Sequence, residues 1–356
     1  MSDAKIQTLC GFSRTQGCAS KMRRALLKKL VSVLPGTIKK NKDKIISDYD
    51  SFDDAAIYKL TDEISIVFTV DFMTPVTNDP ERFGHIAIAN ALSDIYAKGA
   101  APCLGLNVLG FPQEKMDLTI VERILKAGFA KAEEANAHIV GGHTLNISEF
   151  IYGLAAIGFV KNNEIILNSG AYKGDVLLLT KPLGTNVVLT LANRAGVDVG
   201  SDILEECLDS MCQLNIIPDM LMKEAKISAC TDISGYGFIG HLAQMLEASK
   251  QKAIIYSAQI PVIKKSLDFY NMAYRACSVE ANKADYSDYV QFTNSVSPSL
   301  RDLLFDAHTS GGLLMSVPEK NSKVLLEKLQ QNKFIHAAIV GRVIGLDEQE
   351  SLIKIE

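Results

Sequence analysis

Ile64-Ser65-Ile66-Val67-Phe68-Thr69-Val70 reads as a β-strand that runs directly into Asp71, and Glu81 to Lys98 beyond it reads as a helix. The strand is rich in β-branched and aromatic residues. The helix carries Phe83, Ile86, Ile88, Ala91 and Ile95 on its apolar side, and Gly99 is placed to end it. Asn90 and Asp94 lie four positions apart and so project from one face. Strands and helices of this kind alternate outward in both directions, which argues for an α/β (α+β) fold.

Upstream, Ala55–Leu60 forms a second strand, joined through the polar turn Thr61-Asp62-Glu63, and the acidic cluster Asp48–Asp54 precedes it. Lys21 to Leu34 has Met22, Leu26, Leu30 and Val33 at helical spacing and stops before Pro35-Gly36. Residues 1–20 show no sustained period and read as a flexible catalytic arm. Downstream, Pro102–Leu109 is an apolar strand, and Asp117 can cap a helix running to about Asn136. A short strand then meets Gly141-Gly142-His143-Thr144, and Phe150–Val160 is a strand with few charges, expected to be buried on both faces.

Turn signals across Lys161–Gly174 mark a boundary between an N-terminal domain over 21–165 and a C-terminal α/β domain over 170–356. The second half opens with the strand Asp175–Thr180 and continues with helices near 185–195, 201–213 and 218–226. The loop Thr231-Asp232-Ile233-Ser234-Gly235-Tyr236-Gly237 leads into a helix to Ser249, and a strand follows near Ala253–Ser257. Residues 278–300 are polar and read as an irregular surface loop. The tail reads strand, helix, strand, strand over Gly312–Val317, Asn321–Gln331, Ala337–Ile344 and Leu352–Ile355. No repeat that would mean a solenoid is present.

The 356 residues are 47% hydrophobic and 22% charged, with a net charge of -4, a composition that suits a soluble protein of two domains. No apolar run reaches the roughly 18 residues of a membrane span, Ile151–Val160 being too short, and Met1–Lys5 lacks a secretory core. The mild acidity argues against nucleic acid, and Lys39–Lys44 reads as a solvated loop. Seven cysteines with no Cys-x-x-Cys pair make neither a disulfide framework nor a zinc site, so a cytoplasmic location is expected. Cys103, Cys207 and Cys212 read as core, whereas Cys18 and Cys10 lie in polar surroundings where a thiol can work.

Cys18 and Lys21 stand three apart in Thr15-Gln16-Gly17-Cys18-Ala19-Ser20-Lys21, and a neighbouring ammonium raises a thiol's thiolate fraction. The plainer alternative is a small buried cysteine followed by a solvated lysine. Asp53, Asp54, Asp71, Asp94 and Asp232 offer hard oxygen ligands of the kind Mg²⁺ takes together with substrate phosphates. Taken singly, each is better explained as a structural residue such as a helix cap. There is no P-loop motif. Gly141-Gly142 and Gly311-Gly312 both follow strand or turn residues and can bring backbone N–H groups to a phosphate, or be ordinary turns. His143 reads as a hydrogen-bonding loop residue rather than a base.

The chain resembles the selenophosphate synthetases, of the superfamily that includes aminoimidazole ribonucleotide synthetase. The resemblance rests on Gly17-Cys18-Ala19-Ser20-Lys21, Asp53-Asp54-Ala55-Ala56, Thr69-Val70-Asp71-Phe72 and Asn90-Ala91-Leu92-Ser93-Asp94-Ile95-Tyr96-Ala97. It extends through Gly141-Gly142-His143-Thr144, Thr180-Lys181-Pro182-Leu183-Gly184, Thr231–Gly237, Leu303-Leu304-Phe305-Asp306 and Thr309-Ser310-Gly311-Gly312. It implies the superfamily's two-domain fold, with N-terminal domains pairing into a β-barrel in a homodimer. The implied reaction is ATP + selenide + water → selenophosphate + AMP + phosphate, supplying selenium for selenocysteine and selenouridine.

By the same resemblance, Cys18 and Lys21 are catalytic, with Cys18 receiving or guiding selenide and Lys21 contacting the ATP phosphates. Asp54, Asp94 and Asp232 hold several Mg²⁺ ions, with K⁺ as a further candidate. Ser51, Phe52, Asp53, Asp71 and Asp94 line the nucleotide, and Gly142, His143 and Thr144 reach the ATP of the other subunit. A selenium-delivery protein is a candidate partner. Three departures stand out: Ser20 replaces a common second arm cysteine, Asp306-Ala307-His308-Thr309 replaces a usual Pro-Gln before the threonine, and Thr144 replaces a serine. Two rivals remain at this point. One is a kinase or ribonucleotide synthetase of the same superfamily, which needs no Cys18. The other is a non-catalytic selenium or persulfide carrier that binds ATP as a regulator.

Overall fold

The computed structural model of the chain describes residues 8–34, 42–47, 53–270 and 277–356. Two sheets divide the strands. The first has the order β1-β2-β3-β6-β4-β5, with β1 at Ile45–Ser47, β2 at Ala56–Lys59, β3 at Ile64–Met73, β4 at Ala101–Phe111, β5 at His138–Asn146 and β6 at Ile151–Lys161. It is antiparallel except for the β4–β5 pair. The helices after Arg24–Val31 (α1) are Pro80–Ala97 (α2) and Leu118–Glu134 (α3); α2 packs on β3 and β6, and α3 packs on α2.

α2 forms where the sequence expects it, and its start is fixed locally: Asp79 accepts the Arg82 N–H, and Pro80 occupies the first turn. Gly99, at φ +70°, lets the chain leave the helix. Nearly every α2 residue from Phe83 onward is buried, because the second half of the chain covers the side that the first sheet does not. β3 continues through Asp71 to Met73, so Asp71 is a strand residue and not one just beyond the strand.

The second sheet runs β10-β13-β9-β12-β7-β11-β8, with β7 at Asp175–Leu179, β8 at Ala229–Asp232, β9 at Lys252–Ile255, β10 at Val290–Phe292, β11 at Leu313–Pro318, β12 at Ala338–Ile344 and β13 at Ile353–Ile355. Its helices include α4 (Thr185–Thr190), α5 (Ser201–Cys212), α6 (Asp219–Ala225) and α7 (Gly237–Ser249). After these come α8 (Ser266–Phe269), α9 (Cys277–Tyr286), α10 (Pro298–Phe305) and α11 (Glu319–Gln331). One apolar cluster runs through both halves, from Ile86 and Leu92 to Leu242 and Ile353.

Two expectations change. Residues 278–300 are not an irregular surface loop: they hold most of α9, all of β10 and the start of α10, which Ser297 caps by accepting the Leu300 N–H. Their polarity misled because Asn282 is buried to donate to the carbonyls of Gly235 and Phe305. Gly141-Gly142-His143-Thr144 is not a turn either but the middle of β5, an exposed edge strand.

Candidate functional site

Four elements deliver carboxylates to one place. Asp71 comes from β3, Asp94 from α2, Asp232 from the end of β8 and Asp54 from the segment entering β2. Asp94 and Asp232 are buried, and Thr69, two residues before Asp71 on β3, donates its hydroxyl to Asp94 Oδ2 at 2.6 Å. Asp54 Oδ1 accepts from Thr231 Oγ1 at 2.9 Å and Asn168 Nδ2 at 3.1 Å, while its Oδ2 lies 3.0 Å from the Lys98 ammonium. Ligand atoms of Asp54, Asp232 and His241 lie within 4.8 Å of one another.

Crowding carboxylates in a buried site disfavours their charged forms. Burial, followed by the repulsion of Asp54, pushes Asp232 up to about 7. Burial with Asp232 and Asp71 raises Asp94 well above the usual carboxylate range. A divalent cation would remove this penalty, and the donor set of carboxylate oxygens suits a hard ion such as Mg²⁺. Of the three expected metal ligands, Asp54 and Asp232 belong to one group of converging ligand atoms, whose third member is His241, and Asp94 stands close enough to feel the charges of Asp232 and Asp54. His241 was not expected. Its Nε2 accepts the Ser234 N–H at 3.2 Å and the Tyr236 N–H at 3.4 Å, and burial lowers its pKa to about 4. It holds the loop after Asp232 in shape as a neutral imidazole.

The arm lies docked on this cluster. Cys18 is 2% exposed; its N–H donates to Thr309 Oγ1 at 2.9 Å, and its Sγ donates to Asn90 Oδ1 at 3.3 Å. Asn90 in turn donates from Nδ2 to Asp71 Oδ2 at 2.9 Å, and Lys21 Nζ reaches the same oxygen at 3.0 Å. Asn90 and Asp94, placed on one helix face by their spacing, thus serve the arm and the metal cluster respectively. Gly17 sits at φ +50°, and a Cβ there would lie 2.3 Å from Thr309 Oγ1 and 2.5 Å from Val76 Cγ1. Only glycine allows so close an approach. Ser20, standing where a second cysteine was expected, shares hydrogen bonds with Thr15 Oγ1 and Thr74 Oγ1 and so helps tether the arm.

The expected effect of Lys21 on Cys18 is reversed in sum. Lys21 does pull the thiol pKa down, but burial outweighs it and pushes Cys18 up to about 12. The docked thiol is therefore protonated, as its hydrogen bond to Asn90 requires. Against its own desolvation, Lys21 is held well above the usual lysine range by Asp71, with help from Cys18, Asp94 and Asp232. Cys10 is also corrected: it is buried, not in working surroundings, and burial raises it to about 11.

Of the other expected site residues, Ser51 and Phe52 fall outside the described residues. Asp53, expected to line the nucleotide, is buried and paired with Lys98 Nζ. Gly142 shares a row with Asn107, Leu154 and Asp71 across β5, β4, β6 and β3, which puts it three strand spacings, about 14 Å, from Asp71. Gly142, His143 and Thr144 therefore do not join the carboxylates within one chain. Thr309 and Ser310, just before Gly311-Gly312, dock the arm: Thr309 Oγ1 accepts the Cys18 N–H and the Ser310 N–H is given to Asn90 Oδ1, each at 2.9 Å.

Lys98, Asn168 and Thr231 escaped sequence reasoning, although all contact Asp54. A lysine at a helix end reads as an ordinary solvated cation, and no spacing links it to Asp53-Asp54. A separate cavity of about 620 Å³, lined by Tyr96, Pro102, Ile166, Asn215, Ile217 and Met222 among others, contains none of the carboxylates or the arm. No helix among the described residues is long and apolar enough to cross a membrane.

Residues 52–160 match the family model of the AIR synthase related protein N-terminal domain, and residues 173–354 match that of its C-terminal domain. The chain is 37% identical over 346 residues to a Clostridium botulinum protein named selenide, water dikinase, covering 97% of this chain and 98% of the relative. A Pelobacter propionicus protein of the same name is 38% identical over 344 residues, covering 97% of each. Among solved structures, thiamine monophosphate kinase from Aquifex aeolicus superposes with a TM-score of 0.61 at 18% identity, over 93% of this chain and 95% of that one. Hydrogenase maturation protein HypE in complex with ATP gives 0.60 at 18% identity, over 92% and 89%. The solved structures establish the fold, and the sequence relatives place it further: the chain belongs to the AIR synthase related family and, within it, to the selenide, water dikinases.

Proposed function

We propose that this chain converts ATP, selenide and water to selenophosphate, AMP and phosphate. The observation that carries the reading is the docking of Cys18 and Lys21, through Asn90 and Asp71, beside the Asp54–Asp232 pair and the neighbouring Asp94. A kinase of the same fold has no use for a thiol placed there.

Asp54, Asp94 and Asp232 hold Mg²⁺, which offsets the phosphate charge. Lys21, about one-third exposed at its side chain, exchanges Asp71 for ATP phosphate oxygens and supplies the mobile positive charge. Asp71 is then free for the metal or nucleotide. Cys18 stays an S–H while the arm is docked. Undocking removes the burial that suppresses its ionisation and leaves the favourable pull of Lys21, so the thiol gains acidity as it meets selenide. Redocking excludes water from the reacting phosphoryl group.

A homodimer completes this reading. One face of the first sheet presents Phe68, Val70, Phe72, Leu104 and Leu106, each about half exposed, in adjacent rows of β3 and β4 flanking β6. An apolar patch of this kind marks an interface, and a second sheet closing on it makes a barrel. Gly142, His143 and Thr144 on the exposed β5 then contact the other subunit's ATP. Nucleotide and metal chemistry fall to residues 21–165, with the domain over 170–356 supplying Asp232. The seven free thiols suit a reducing cytoplasm.

The test is ³¹P NMR of ATP with anaerobic selenide and Mg²⁺, for the wild type and Cys18→Ser. A selenium-coupled phosphate signal with AMP, lost in the variant, is expected. ATP converted to ADP without that signal would indicate a kinase, and no consumption would indicate a carrier.

A further inference from the structure

α1 is oriented the wrong way round for a helix held by apolar packing. Met22 just before it, and Leu26 and Leu30 within it, are 49%, 53% and 55% exposed, while the buried residue of the helix is Arg24. Arg24 is inserted between two other helices. Its Nη2 donates to Glu247 Oε2 of α7 at 2.8 Å, and its guanidinium carbon lies 5.5 Å from the centre of the Tyr286 ring of α9. Arg23 beside it meets Asp285 Oδ1 at 2.5 Å, and the Ala25 N–H donates to Asp285 Oδ2 at 3.4 Å. An amphipathic helix kept for stability turns its leucines to the core; this one is fastened by two arginines. A planar guanidinium can pair with a carboxylate and lie on an aromatic face together, a geometry an ammonium does not reproduce.

The fastening comes three residues after Lys21, and three residues of chain span no more than about 11 Å. It therefore limits how far Lys21 can move. The chain between follows the loop after Asp232: Tyr236 Oη donates to the Met22 carbonyl at 3.5 Å, and a Cβ on Gly235 would lie 2.7 Å from Lys21 Cδ and 2.9 Å from the Cys18 carbonyl oxygen. Tyr236 in turn packs on Tyr286, with ring centres 6.2 Å apart. The other end of the arm is held as well. Leu9 and Phe12 lie in the core, the Cys10 N–H donates to Asn78 Oδ1 at 2.9 Å, and the Phe12 carbonyl accepts the Phe150 N–H at 3.1 Å. Residues 13–23, with Cys18 and Lys21 among them, thus form a strap between two anchorages rather than the end of a free tail.

We propose that Arg24 is a positioning residue for the reaction: by clasping α1 to Glu247 and Tyr286 it keeps the strap short, so that Cys18 and Lys21 return to the carboxylates each time the strap opens. Arg24 acts through these two arm residues and not on the phosphates. Its part in turnover rests on the proposed function, but the clasp that keeps Cys18 docked does not.

Two readouts test it on the full chain, for the wild type, Arg24→Met and Arg24→Lys. The first is alkylation by iodoacetamide of metal-free, nucleotide-free protein, followed by mass spectrometry of the Cys18 peptide. Cys18 should be labelled about tenfold faster in Arg24→Met, because the strap opens more often, while Cys207, buried in the core, should stay unlabelled and report an intact fold. Arg24→Lys, which keeps a charge for Glu247, should recover part of the difference. The second is ³¹P NMR of turnover with ATP, anaerobic selenide and Mg²⁺. Selenophosphate formed per AMP should fall about threefold or more in Arg24→Met, since a phosphoryl group left uncovered goes to water and yields AMP with two phosphates. Should Arg24→Met not fold, Glu247→Gln breaks the same clasp at its partly exposed partner and should shift both readouts the same way, by less. Cys18 labelling at the wild-type rate in a folded clasp variant would overturn the proposal, as would a wild-type ratio of selenophosphate to AMP. Faster Cys18 labelling, with no selenophosphate from either protein, would refute the proposed reaction and leave the clasp standing.

Discussion

Two lysine–aspartate contacts sit at the rim and the floor of one site, and their surroundings make them different devices. Lys21 meets Asp71 at 3.0 Å with side chains 35% and 11% exposed, on a segment of the arm that hydrogen-bonds to Thr309, Asn90 and Thr74. Lys98 meets Asp53 and Asp54 with side chains 0%, 5% and 6% exposed, and Asn168 Oδ1 and the Cys230 carbonyl also accept from it. An ion pair open to water is worth little and can be exchanged. A buried one is committed, because removing either partner strands a charge. In the proposed reaction the same chemistry thus supplies a detachable cation to the substrate, while Lys98 remains a fixed one within the protein.

The contrast is broken most severely at the floor. Lys98→Ala should lose about 3–5 kcal/mol in urea melts, since two buried carboxylates are left uncompensated. Lys21→Ala should lose no more than about 1 kcal/mol of stability, yet AMP formation should fall about 10²–10³-fold for want of charge on the phosphates. Equal stability losses in the two variants would make the Lys21–Asp71 pair structural and remove its catalytic role.

Gly17→Ala sharpens the idea that the arm is detachable. The backbone strain and the contact with Thr309 should cost about 1–3 kcal/mol of docking and lower selenide-dependent AMP formation by about tenfold or more. Limited proteolysis should cut the arm faster while the rest of the chain persists. An unchanged digestion pattern would mean that the arm does not depend on this approach.

A smaller effect reports the crowding of the carboxylates. Asp232 sits near 7 in the folded protein, above the usual carboxylate range, so the folded state binds its proton more tightly than the unfolded chain. Metal-free protein should therefore gain stability on acidification, and lose that gain as pH rises through about 7. Saturating Mg²⁺ should abolish the dependence. A melting temperature of metal-free protein that rises across this range would contradict the crowding.

Much of the scaffold was legible because local signals agreed with it. The β-branched and aromatic run Ile64–Val70, the apolar spacing in Glu81–Lys98 and the Asp117 cap act over a few residues and survive folding unchanged. The region 278–300 was not legible, because its polar side chains satisfy main-chain and buried groups far away in sequence. Gly141–Thr144 failed for a related reason: pairing with β4 imposes strand geometry on residues whose own preference is for turns.

At the site, sequence by itself determined which side chains were available: carboxylates at the ends of strands and on a helix face, and a cysteine three residues before a lysine. Pattern and spacing carry that much because side-chain type and helical or strand period are local properties. The ionisation of those groups was decided only by the tertiary structure. Burial of Cys18 outweighs the neighbouring ammonium, and packing places Lys98 against Asp53 and Asp54 across 45 positions of chain. Desolvation and charge proximity depend on what lies within a few ångströms in space, and no spacing along the chain encodes that distance.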